Sequence, residues 1–101
     1  TPYITDTHGY LLVLTGKIDE GILLLRETID RAPIPDAYYH LGEAYLALAT
    51  PLPDQAQTAL KQAQALQEAA AAQNQPVDPD LKAKIGKALE RARQLAPATM
   101  P

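Results

Sequence analysis

The strongest constraint on this chain is a recurrence. Tyr38-Tyr39-His40-Leu41-Gly42-Glu43-Ala44-Tyr45 is patterned like one face of a helix, with a glycine in its middle. A weaker copy lies 33 residues upstream, where His8-Gly9 matches Leu41-Gly42, Leu12 matches Tyr45 and Gly16 matches Ala49. In the following segments Gly21 matches Ala56, Leu25 matches Leu60 and Thr28 matches Ala63, now at a spacing of 35. The two extra residues fall in the connector 50–53, so the mean period is 34. A period of that length signals stacked supersecondary units. Glycine in a helix costs about 1 kcal/mol relative to alanine. Gly9, Gly21, Gly42 and Gly86, all inside helical patterns, therefore predict helices in close approach.

Composition supports helices. The 101 residues contain no Trp, Phe, Cys or Ser and only two valines, so Tyr, Leu and Ala must fill the core. Such a chain is long enough for one domain of modest core. Disulfides, thiolate metal sites and serine or cysteine nucleophiles are excluded by the absent residues. The net charge of −3 disfavours nucleic acid and anionic membranes as partners. It is unevenly divided: residues 1–54 carry net −5 and residues 55–101 net +2. No apolar run reaches the roughly 20 residues that cross a bilayer, so direct membrane insertion is not expected. The compartment stays open between cytoplasm and periplasm. The start at Thr1, with no visible signal peptide, is read as a piece of something longer.

In chain order, Thr1-Pro2 predicts a helix entry and Gly16 its end, giving a first helix over about 3–15 with Leu11, Leu12 and Leu14 as its apolar stripe. A second helix opens at Lys17-Ile18-Asp19-Glu20, carries Ile18, Ile22, Leu25 and Ile29 on one stripe, and stops at Pro33 and Pro35. A third runs from near Pro35-Asp36 to Leu48, with Tyr38, Leu41, Tyr45 and Leu48 as its buried stripe. A fourth starts near Pro53-Asp54 and meets no breaker until Asn74-Gln75-Pro76. Asp78-Pro79-Asp80 restarts the chain into a fifth helix with Leu81, Ile85, Leu89, Ala92 and Leu95 on one face, ending at Ala96-Pro97 before a frayed tail, 98–101. Leu25, Thr28 and Ala32-Pro33 recur 64 residues later as Leu89, Ala92 and Ala96-Pro97, so the fifth helix is read as a second-helix-like cap.

Tyr38, Leu41-Gly42, Tyr45, Ala56, Leu60 and Ala63 together resemble the tetratricopeptide repeat. The first copy follows that pattern at Gly9, Leu12, Gly21, Leu25 and Pro33 and departs from it at Thr5, His8 and Thr28, which predicts looser or different packing there. The resemblance covers about residues 3–66. It implies an all-α, right-handed superhelix of two helix pairs (2–34 and 35–68, the last helix extended to 74) plus a C-terminal capping helix over 79–96. It also resembles the closing repeats of longer bacterial proteins of this family. The resemblance implies a non-catalytic interaction scaffold whose ligand lies in a concave groove lined by the first helix of each pair.

Beside the packed stripes, the first helix carries Tyr3, Asp6, Tyr10 and Val13, and the third carries Asp36, Tyr39, Glu43 and Leu46. Each set has i, i+3, i+7, i+10 spacing and forms one stripe. Family members that grip a C-terminal carboxylate use Lys and Asn at such places. Asp6, Tyr10, Tyr39 and Glu43 stand here instead, an acidic, aromatic surface suited to a Lys- or Arg-bearing peptide. Tyr39 and Glu43 in particular are read as free of packing duties. The alternative is self-association, with the basic face of the fifth helix (Lys82, Lys84, Lys87, Arg91, Arg93) meeting the acidic face of another copy. His8 and His40 lack metal-ligand spacing and are read as packing residues. No cofactor and no catalytic residue is expected.

Overall fold

The computed structural model describes residues 1–96. These form five α-helices: α1 (Pro2–Leu14), α2 (Ile18–Arg31), α3 (Pro35–Ala47), α4 (Pro53–Ala72) and α5 (Pro79–Leu95). The expected tail lies outside the described residues. No helix among them is long and apolar enough to cross a membrane.

The helix ends follow local chemistry. Thr1 caps α1, its Oγ1 accepting from the Ile4 N–H at 3.4 Å, with Pro2 opening the first turn. Asp78 caps α5 through the amides of Asp80 (2.9 Å) and Leu81 (3.3 Å). The end of α1 is a Schellman turn: Gly16 N–H donates to the Val13 carbonyl and Lys17 N–H to that of Leu12, at 3.1 and 2.8 Å. Gly16 holds φ +91°, where a side chain would be strained. Asn74 makes the same turn after α4 with φ 59°, its neighbour Gln75 donating to the Ala70 carbonyl at 2.9 Å. Asparagine tolerates that left-handed conformation better than most residues.

Adjacent helices pack on one another, and α3 also touches α1 and α5. Two apolar clusters result. Val13, Ile22, Leu25, Leu41, Ala44 and Ala59 form one. Tyr39, Ala56, Leu60, Ala63, Leu81, Ile85, Ala88 and Ala92 form the other. The glycines set the helix spacing. A carbon added to Gly42 would lie 2.6 Å from Leu60 Cγ, and one on Gly9 would lie 2.8 Å from Leu25 Cγ. In both pairs, then, a glycine of the first helix receives a leucine of the second.

Two expectations change. In α1 the packed residues are Asp6, Gly9 and Val13, while Leu11 and Leu14 are exposed. The glycine, which lets α2 come close, selects the buried face, and the leucines lie off it. In α3 the buried set is Ala37, Tyr39, Leu41, Gly42 and Ala44, with Tyr38, Tyr45 and Leu48 only half-buried. That helix feeds both clusters, so it is buried over a wide arc and not along one stripe. In turn, α5 lies on α4 and α3 just as α3 lies on α2 and α1.

Candidate functional site

The face shared by α1, α3 and α5 holds a continuous polar and aromatic row. It starts at Asp6 on α1, a residue only 3% exposed. Asp6 Oδ1 lies 2.7 Å from His40 Nδ1, within hydrogen-bonding distance. The Tyr10 ring stacks on His40, with centroids 4.0 Å apart and planes 21° from parallel. Tyr39 leans on the other part of the same imidazole at 5.2 Å. The Tyr39 hydroxyl donates to Glu43 Oε2 at 2.8 Å. Arg91 of α5 donates from Nη2 to the other oxygen, Glu43 Oε1, at 2.7 Å. Both carboxylate oxygens of Glu43 are therefore engaged.

Electrostatics follow from these contacts. Burial, the hydrogen bond to Glu43 and its negative charge together hold the Tyr39 phenol well above its ordinary range. Burial raises that of Tyr10, with Glu43 adding to it. The bond to Glu43 pushes the Arg91 guanidinium further into its charged form. Asp36 is raised chiefly by its burial.

The eight residues expected to line a groove are divided by this arrangement. Val13 belongs to the first core cluster, and Leu46 packs against the second. Tyr39, at 7% exposure, is buried in the second, so the reading of it as free of packing is corrected. Asp6 is buried beneath His40. Tyr3 and Asp36 line a separate cleft with Gln67, Val77 and Leu81, beside the α4–α5 connection. Tyr10 and Glu43 remain at the row, half-buried. At Glu43 the face is partly covered, because α5 touches α3 and supplies its own cation there. His8 is exposed, and only His40 joins the row.

His40 and Arg91 were not among the expected site residues. His40 lies 34 residues from Asp6, one beyond the 33-residue offset between the first helices, so it stands next to the position equivalent to Asp6 and at nearly its level. The signal for Arg91 is subtler. Pro35-Asp36, Leu41-Gly42, Ala44 and Tyr45 recur 44 residues later as Pro79-Asp80, Ile85-Gly86, Ala88 and Leu89. The burial repeats too, Ala37, Leu41 and Ala44 matching Leu81, Ile85 and Ala88. The extra length comes partly from α4, which has 20 residues against 14 in α2, and partly from longer connections before and after it, and it sets α5 beside α3 with Arg91 facing Glu43.

Chemically, the row offers a carboxylate, a guanidinium and stacked aromatic rings. It can hold a cation through Glu43 and the ring faces. Among the described residues no group of three or more His, Asp or Glu is placed to hold a metal ion. Comparison with protein-family models, with curated proteins and with solved structures found no match for this chain.

Proposed function

We propose that the chain is a non-catalytic protein-interaction module of tetratricopeptide type. In this reading α1–α2 and α3–α4 are successive pairs of a right-handed superhelix, and α5 takes the place of the next first helix. The α1–α3–α5 face then receives a peptide or protein segment that carries Lys or Arg. The observation that carries this is the Arg91–Glu43 contact, in which a guanidinium is already held beside Tyr10 and Tyr39. Arg91 is the internal stand-in for the ligand's cation. Its side chain is 53% exposed, so it can be displaced toward solvent, whereas the Glu43 side chain is only 14% exposed.

The test is a binding titration of labelled peptides matched in length, one set rich in Lys and Arg and one rich in Asp and Glu. Basic peptides bind, Arg91→Ala tightens them by removing the competitor, and Glu43→Gln weakens them about tenfold, the size expected for a lost charge-assisted bond. Binding of acidic peptides alone, or identical affinities for the parent protein and both variants, rejects the reading.

A further inference from the structure

We propose that the α4–α5 side of one molecule receives the α2 face of a second copy, with Leu23 seated against Gly86. The socket is defined by the chain's own precedents. Gly9 receives Leu25 and Gly42 receives Leu60, each so closely that an added carbon would collide. Gly86 stands in the same local setting as Gly42, between Ile85 and Lys87 with Ala88 and Leu89 beyond. Yet among the described residues a carbon added at Gly86 meets nothing within 4 Å. The helix bears the destabilising glycine without a neighbour among those residues to receive. Gln57 and Lys61 of α4, and Leu89, Glu90 and Arg93 of α5, wall the depression around it.

The occupant is argued from charge and exposure. Leu23 is 63% exposed, on the face of α2 opposite the buried Leu25. Asp19, Glu20, Glu27 and Asp30 surround it at i−4, i−3, i+4 and i+7, with Arg26 between them, all exposed. At the socket, Lys61 and, beside Gly86 in sequence, Lys87 are exposed and take part in none of the described ion pairs, while Arg93 pairs with Glu90. A leucine within an acidic ring thus matches a glycine within a basic one. Knob and socket lie on different faces, so the contact is heterologous and leaves an open socket on one molecule and an open leucine on the other. Assembly proceeds head to tail.

The experiment is sedimentation of the whole chain over a range of concentrations. Mass rises with concentration beyond a dimer, and falls back toward 10.9 kDa in about 1 M salt, where the screening length is about 3 Å. Leu23→Asp and Gly86→Leu each abolish association and keep the melting temperature, because neither position is packed. A mixture of the two variants forms a dimer that grows no further, since one contributes the only intact socket and the other the only intact leucine. Arg91→Ala and Glu43→Gln leave association unchanged, which separates this contact from the peptide face. A mass that stays monomeric at every concentration overturns the proposal. So does association that survives both substitutions, or a dimer of the parent protein that stops at two.

Discussion

The two helix pairs share a skeleton and differ in what covers it. Both seat a leucine of the second helix on a glycine of the first, Leu25 on Gly9 and Leu60 on Gly42. At the next positions they diverge. Ala37, Leu41 and Ala44 of α3 are buried, and their equivalents 33 residues upstream, Ile4, His8 and Leu11, are exposed. The second pair has two alanines and a leucine buried there, where α1 and α2 pack on α3. The first has larger side chains at two of the three places, all left exposed by the described residues. Burial at equivalent positions is thus decided by place in the stack, while the seat inside each pair is decided by residue type.

Leucine placed at glycine positions is the harshest way to break that comparison. Gly42→Leu forces α3 from α4, because Leu60 is fully buried and cannot swing away. A loss of about 3 kcal/mol is expected from overpacking of this kind. Denaturant melts check it, with Gly86→Leu as the control that does not destabilise. Equal melts for the two variants would mean that the glycine–leucine seat is not what spaces the helices.

A smaller effect separates the pairs by polarity. Thr5 and Thr28, where the first pair departs from the pattern of the second, have their hydroxyls 3.0 Å apart and share a hydrogen bond. Looser or different packing is expected from those residues, and the hydroxyl pair is a different arrangement in which the two departures meet each other. Thr28→Val should cost about 1 kcal/mol, the usual net worth of such a bond. A double-mutant cycle with Thr5→Val isolates the pairwise part, and additivity of the two losses would assign the departures no joint role.

The smallest expected effect is alkaline. Tyr39 of α3 stands where α1 has Asp6, so most of the sensitivity belongs to the second pair, with Tyr10 of α1 adding to it. Tyr39 and Tyr10 are both raised above 10.0, the value that serves for the unfolded chain. Below that pH both states hold the phenolic protons. Above it the unfolded chain releases them first, so stability falls as pH rises through the folded values. Tyr39→Phe should flatten the decline between about pH 10 and 11. An unchanged slope would show that Tyr39 titrates alike in both states.

Much of the fold was legible, for local reasons. Thr1-Pro2, Gly16, Pro33-Ile34-Pro35 and Asp78-Pro79 act within a few residues, and the helices begin and end beside them. The glycine seats were legible because a glycine inside a helix needs a cause. The outward faces were not. Leu11 and Leu14 have the residue type of a core and lack the neighbours. The place of α5 was hidden by the added length of α4 and its connections, which breaks the 34-residue register. At the site, Glu43 could be picked out, but its partner Arg91 lies 48 residues away and depends on that register.

One feature of α3 bears on how the protein comes apart. Its Leu41 and Ala44 serve one apolar cluster and its Tyr39 the other. Neither half can melt and leave α3 content, since each loss strips one of its sides. The two clusters are therefore coupled into one cooperative transition, and the slowest amide hydrogen exchange belongs to the middle of α3. A perturbation at the α1–α2 end is felt at the α4–α5 end through that shared helix.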